Sequence, residues 1–348
     1  MNTQTLIIGG GLTGLALAYR LQQAGHDYLI VEARGRFGGR IKSLKIAGQN
    51  FDLGPSWIWQ GQHRVATLLQ ALKIPVFEQW SAGTQLYEQA NGDVLQNAGF
   101  MSMAGSMRIS GGTAALTDAL VQTLDPARIF TNSAVRQISD GPHATLVNGD
   151  VISARQIVIA TPPRIAAQLD FAPALPPAAH SALSAIPTWM GAHAKCVAVY
   201  PTPFWRENGL SGDASSRRGP LAEIHDASPM EGPLGALFGF LGLPADVRAQ
   251  AGDRLKDAAL AQLVNLFGPQ AETPIALHLE DWSQAQFTAA PADATPPPGH
   301  PPYTKPEVLN AVWSGQLIFA VTELTSDNGG LIEGALAAAE AAAAQVLT

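Results

Sequence analysis

The chain has 348 residues, 47% hydrophobic and only 14% charged, so much of it must be buried in a compact body rather than a disordered or fibrous one. A net charge of −7 argues against general nucleic-acid binding and against attraction to anionic lipid. The single cysteine, Cys196, excludes an internal disulfide and a cysteine metal cluster, and no apolar run reaches the ~18 residues of a membrane span. No basic leader precedes the first apolar run, so the expectation is a cytoplasmic protein with neither membrane nor nucleic acid as partner.

In chain order, TLIIGG (residues 5–10) is an apolar run without alternation, the pattern of a strand buried on both faces. Residues 12–25 place Leu15, Leu17, Ala18 and Leu21 at helical spacing, with Gly25 as cap. HDYLIVEA (26–33) is a second strand ending in an acid. Residues 41–60 predict a hairpin and turn, and residues 63–72 a short helix. From 80 to 110, Gly, Gln, Ser and Met with weak periodicity predict short strands and loops. A glycine turn feeds a helix over 111–124. Residues 128–163 alternate as three strands with turns at Asp140-Gly141 and Asn148-Gly149, and end at two prolines. KCVAVYPTPFW and LGALFGFLGL predict strands of a second domain, and residues 246–268 one helix before PIALHLEDW. Residues 289–306 are proline-rich and read as a linker by composition. The chain closes with a strand, a glycine turn and an alanine-rich helix, and it contains no tandem repeat.

The first strand, GGGLTG and the following helix and strand build a βαβ unit of about 30 residues, the context that a Gly-x-Gly-x-x-Gly motif requires. Gly9 permits a tight turn, Gly11 admits a pyrophosphate to the backbone, and Gly14 allows close helix packing, with Leu12 and Thr13 between them. The phosphates are expected at the positive end of the helix. Glu32, 18 residues after Gly14, stands where a carboxylate accepts from ribose hydroxyls. A second run, EARGRFGGR (32–40), follows directly. Ala33 and Arg34 continue from the acid, Gly38 and Gly39 let the backbone approach the pyrophosphate, and Arg40 adds charge there.

With both runs in place, the chain resembles the flavin-containing amine oxidase superfamily, which includes monoamine and polyamine oxidases, L-amino-acid oxidases and protoporphyrinogen oxidase. FDLGPSWIW, GGTAALTDAL, IVIATPP, KCVAVYPTPFWRENGLSGD, EDW and LIFAVTELTSDNGGLIEGAL resemble further family stretches in the same order. The resemblance implies an α/β architecture, discontinuous in sequence. A Rossmann-type FAD-binding domain would comprise residues 1–75, 108–165 and 306–348, and a smaller mixed-sheet substrate domain residues 76–107 and 166–305. It also implies FAD contacts from Gly54, Pro55, Ser56 and Trp57, from Val135 on the adenine side, and from Thr161 and Trp282. Glu323 would meet the ribitol or pyrophosphate, while Gly330, Leu331 and Ile332 would start the last helix under the flavin pyrimidine ring. Lys195 matches the family lysine that reaches flavin N5 through a water, with a role in reoxidation by O2 or in proton management. Its other reading is a strand-end lysine snorkelling to solvent. Trp57 and Trp282 also read as core aromatics, Cys196 as a small buried hydrophobe, and His193 and His225 as neutral packed or surface histidines before cavity-lining ones. The histidines show no metal spacing, so no metal is expected.

Departures from the family refine the reading. The cysteine that attaches flavin in monoamine oxidases corresponds to Pro291, which implies non-covalent FAD. The two tyrosine walls of their aromatic cage fall on Ala292 and Leu331, which disfavours a small amine held between two rings. Val321 stands where the family has glycine and is expected to shift the local backbone. Only about fifty residues separate GPSWIW from GGTAAL, which predicts a trimmed substrate domain, an exposed flavin face, and a surface open to homo-oligomer formation. The leading expectation is an FAD-dependent oxidoreductase that takes a hydride from a small-molecule carbon donor. An amine becomes an imine, and O2 becomes hydrogen peroxide. A flavin dehydrogenase, desaturase or isomerase acting on a bulky apolar substrate is the second reading, and a non-catalytic flavin-binding protein the third.

Overall fold

The computed structural model describes residues 1–99, 103–310 and 312–348. β1 (Asn2–Ile8), α1 (Leu12–Gln23) and β2 (Tyr28–Val31) form the expected βαβ unit, with β1 parallel both to β2 and to Val151–Ile159. Successive side chains alternate between two buried clusters: Leu6 and Ile8 enter one, Ile7 the other. Both faces are covered, so the strand is apolar throughout rather than every second residue. The long strand Val151–Ile159 pairs antiparallel with His143–Leu146 in its first half and parallel with Leu317–Phe319 in its second. The carboxyl ends of four parallel strands therefore converge, the place where open α/β sheets bind ligands.

A seven-stranded sheet forms the second layer, in the order Ala276–Asp281, Ala194–Tyr200, Gly235–Leu241, Leu221–Asp226, Leu210–Ser216, Thr84–Glu88, Val94–Gln96. One face, through Cys196, Ala198 and Ile224, packs on Leu255, Ala259 and Leu263 of the helix Arg254–Phe267. The opposite face, through Val197, Val199 and Phe238, packs on Phe51, Leu53 and Trp57.

Several expectations change. The single helix over 246–268 is two, Ala245–Ala251 and Arg254–Phe267, because Gly252 takes a positive φ of 54° that ends the first. The region 128–163 holds a fourth, two-residue strand, Ile129–Phe130, paired with β2. Asp170–Ala172, assigned from sequence to the substrate domain, pairs with Val135–Ser139 on the eight-stranded sheet. In the 80–110 stretch, residues 100–102 lie outside the described residues; the remainder holds Thr84–Glu88, Val94–Gln96 and Met107–Ile109. The proline-rich segment is no free linker. Asp293, buried, bonds Arg164 at 2.6 Å and the Thr188 N–H at 2.9 Å, and the Tyr303 hydroxyl donates to Pro187 O. No helix among the described residues is long and apolar enough to cross a membrane.

The last helix, Ile332–Leu347, packs on α1 through Ala335, Ala339, Ala342 and Ala343, whose small side chains admit close approach. Its buried Glu333 also caps another helix. His63–Ala71 has no side-chain cap of its own, and Glu333 accepts from the Arg64 N–H at 3.0 Å and the Val65 N–H at 2.9 Å. Replacing Glu333 with alanine is expected to cost about 1.5–3 kcal/mol in chemical denaturation, the range for hydrogen bonds to a charged group. It should also speed amide exchange at Arg64 and Val65. Unchanged exchange there would show that the cap is unimportant.

Candidate active site

A cavity of about 600 Å³ opens where the parallel strands end against the face of the seven-stranded sheet. Lys195 and every residue expected from the sequence to contact the cofactor line it, except Gly14 and Glu323. Trp59, on its lining, is 41% exposed.

The dinucleotide half is built from close backbone approaches. A Cβ on Gly14 would collide with Gly9 O, so this glycine acts by letting α1 pack against the turn. Gly11 bridges to Gly38, and a Cβ on Gly39 would stand 3.1 Å from the Gly11 Cα. No side chain caps α1, whose first N–H groups open into the cavity beside the buried, unpartnered Thr161 Oγ1. Such a cradle suits a pyrophosphate. Glu32 accepts from the Gly10 N–H at 2.8 Å and the Arg34 N–H at 2.9 Å, which aims its carboxylate along the same edge. Arg34 in turn donates to Thr288 Oγ1 at 2.9 Å and lies 5.4 Å from the centre of the Phe287 ring.

Glu323 lies behind the wall rather than on it, with no exposed surface. Its carboxylate takes both Arg40 amino groups, Nη2 at 3.0 Å, and the Trp189 N–H at 3.2 Å; Arg40 Nη1 also donates to Trp189 O. Burial works against the Arg40 charge, but Glu323 outweighs it and raises the guanidinium further. The carboxylate thus fixes Arg40, which lines the cavity, in place. Gly330, Leu331 and Ile332 bring the uncapped start of the last helix to the cavity. Gly330 has φ +80°, and a Cβ there would meet the Trp189 side chain at 3.0 Å. Val321 takes ordinary extended backbone at φ −153°.

The opposite wall carries Lys195. Alternation along Ala194–Tyr200 sends Cys196 to the far cluster and Lys195 to the cavity. Lys195 is 2% exposed, which removes the snorkelling reading. Its Nζ donates to Ser56 Oγ at 2.6 Å and Gly54 O at 3.1 Å, and stands 3.7 Å from the centre of the Phe238 ring. Burial pushes the amine down to about 7, with Asp52 pulling upward and Arg108 downward. Trp57 and Trp282 are buried, line the cavity and are anchored through their indole N–H groups to Gln79 Oε1 and Leu53 O. Of the two cage positions, Leu331 lines the cavity, while Ala292 is exposed and away from it.

The histidines separate. His193 lines the cavity, and burial together with Arg248 lowers it, which keeps it neutral. His225 does not line it. It sits between Asp213 and Glu223, each at 2.8 Å; burial opposes its charge, but the two carboxylates outweigh burial and raise its pKa above the ordinary histidine value. Sequence reasoning missed Trp189, Phe240 and Phe287 on the lining. Phe240 is opposite Lys195 in register, so the alternation of ALFGFL carried a usable signal; the other two had none.

The chain belongs to the flavin-containing amine oxidoreductase family, whose model matches residues 12–96 and 81–347. It is 24% identical to the "Probable flavin-containing monoamine oxidase A" of Dictyostelium discoideum, over 95% of this chain and 94% of that protein. That alignment runs over 435 positions, 87 more than this chain has residues. A putrescine oxidase of Kocuria rosea is 22% identical over 98% of this chain and 94% of its own. Among solved structures, putrescine oxidase bound to putrescine superposes with a TM-score of 0.84 at 20% identity, covering 100% of this chain and 99% of that one, a likeness of fold. The protein is thus an FAD-dependent oxidoreductase of the amine oxidase type, and its cofactor is FAD.

The Lys195 environment predicts a stability signature. The folded amine titrates at about 7 against 10.5 for a free lysine, so its cost is fully present below pH 7 and disappears as pH rises through the ordinary lysine range. Between about pH 7 and pH 10 the wild type is expected to gain several kcal/mol of unfolding free energy relative to Lys195→Met, at roughly 1.4 kcal/mol per pH unit. Parallel stability curves for the two proteins would contradict the assignment.

Proposed function

We propose that this protein oxidises an amine to an imine, with O2 as acceptor and hydrogen peroxide as product. The observation that carries the reading is a buried lysine, held near neutrality, on the cavity wall facing a dinucleotide cradle. When bound, FAD supplies the two-electron acceptor for the hydride on the carbon beside the amine nitrogen.

The chain's own residues position and insulate. In our reading the body of the eight-stranded sheet binds FAD, and the seven-stranded sheet with its helices forms the substrate domain. Arg40 would meet the pyrophosphate together with the α1 N-terminus, Glu32 the ribose, and Val135 the adenine side. The positive end of the last helix, at Leu331 and Ile332, would favour negative charge on the ring system above it. Trp57, Phe240 and Leu331 present apolar surface to the donor and keep water from it. Lys195 near pH 7 exists both as ammonium and as amine, so it can deliver or hold a proton as O2 is reduced.

Two further features belong to this reading. Pro291 offers no thiol, and Cys196 faces the other side of the sheet with burial pushing its thiol up to about 12, which supports non-covalent FAD. A chain with one cysteine suits the reducing cytoplasm, where we place it.

The purified protein should release unmodified yellow FAD on denaturation and generate peroxide with members of an amine panel. Lys195→Met is expected to slow reoxidation by O2 about 10²-fold or more, the lower range for loss of a proton-transfer group, while anaerobic reduction by amine changes less. Turnover with an artificial acceptor but no O2 uptake would replace the oxidase reading with a dehydrogenase.

A further inference from the structure

Lys195 Nζ has three neighbours for three hydrogens: Gly54 O, Ser56 Oγ and the face of Phe238. They are not equivalent. A carbonyl only accepts, and an aromatic face attracts only the charged form. A hydroxyl does both: it accepts from an ammonium and donates to the lone pair of an amine. Ser56 contributes the only side-chain hydrogen bond to Nζ among the described residues, and it is itself buried at 4% exposure.

The charged groups around Lys195 are committed elsewhere. Asp52 accepts from the Thr113 N–H and Thr113 Oγ1, both at 2.8 Å. Arg108 donates to Ala227 O and Ser228 O. Glu280, opposite Lys195 on the neighbouring strand, is held by Lys42 at 2.6 Å. His225, beyond Phe238, is held by Asp213 and Glu223. None of these bonds Nζ, so they set the field in which Lys195 titrates but not its place.

We propose that Ser56 is a positioning residue for Lys195, holding Nζ at one point of the cavity wall in both protonation states, while Phe238 holds the ammonium alone. This rests on the catalytic reading of Lys195 above and gives Ser56 a role apart from cofactor contact. Ser56 is fixed for the task. It follows Gly54-Pro55, and a Cβ on Gly54 would collide with Arg40 O, so the turn that presents Ser56 is pinned to the same loop that presents Arg40. An accident of packing would not require a hydroxyl at this site. Alanine would fill nearly the same space.

The test uses the FAD-loaded enzyme and follows flavin reoxidation by O2 against pH by stopped flow, with FAD affinity measured separately by titrating the apoprotein. Ser56→Ala is expected to lower the high-pH limiting rate about three- to tenfold, the worth of one ordinary hydrogen bond, with Ser56→Thr restoring most of it and FAD affinity holding within twofold. Phe238→Leu is expected to move the apparent pKa of reoxidation downward by about one pH unit, because only the ammonium loses a partner. The proposal is overturned if Ser56→Ala leaves the limiting rate unchanged, if Ser56→Thr fails to recover it, or if FAD affinity falls as far as the rate does. The last outcome would make Ser56 a cofactor contact. A Lys195→Met enzyme that reoxidises normally would instead overturn the reading on which the proposal rests.

Discussion

The Arg40–Glu323 pair is the contact on which the rest of the site depends. It joins the end of the second glycine run to the turn before the last helix, and through Trp189 it reaches the segment leading into the Lys195 strand. Three segments far apart in sequence therefore meet at one buried carboxylate. Glu323 has no exposed surface, and Arg40 and the Trp189 N–H supply its hydrogen bonds there. Removing either partner would uncouple the dinucleotide cradle from the opposite wall.

That opposite wall follows from the two-residue period of a strand. Cys196 and Ala198 fill the core beneath the sheet, which leaves Lys195 facing the cavity. The same alternation brings Phe238 and Phe240 to the cavity side of the adjacent strand. An amine in such surroundings loses solvation it cannot fully recover, and its proton becomes easy to remove. Acid–base capacity at neutral pH thus comes from where the lysine is placed rather than from an added carboxylate.

Local patterns made much of this legible in the sequence. The unalternating TLII run, the glycine spacing, Glu32 and the apolar flanks of Lys195 each encode their own surroundings, and the structure places them as those patterns imply. What escaped was encoded at a distance. Composition makes residues 289–306 look like a linker, yet one buried aspartate reaching Arg164 makes the segment part of the wall. Nothing near Glu323 in sequence marks Arg40, 283 positions away, as the partner of its buried carboxylate. Trp189 and Phe287 lie in stretches without periodicity, and nothing within a few residues of either marks its position on the cavity.

The contact of Arg34 with Phe287 and Thr288 has a consequence for the cavity mouth. These residues come from opposite walls and close across the ribose edge of the cradle. The two walls therefore cannot separate at that edge without giving up both the Arg34–Thr288 hydrogen bond and the contact of Arg34 with the Phe287 ring, so the width of the cavity mouth there is tied to a single side chain.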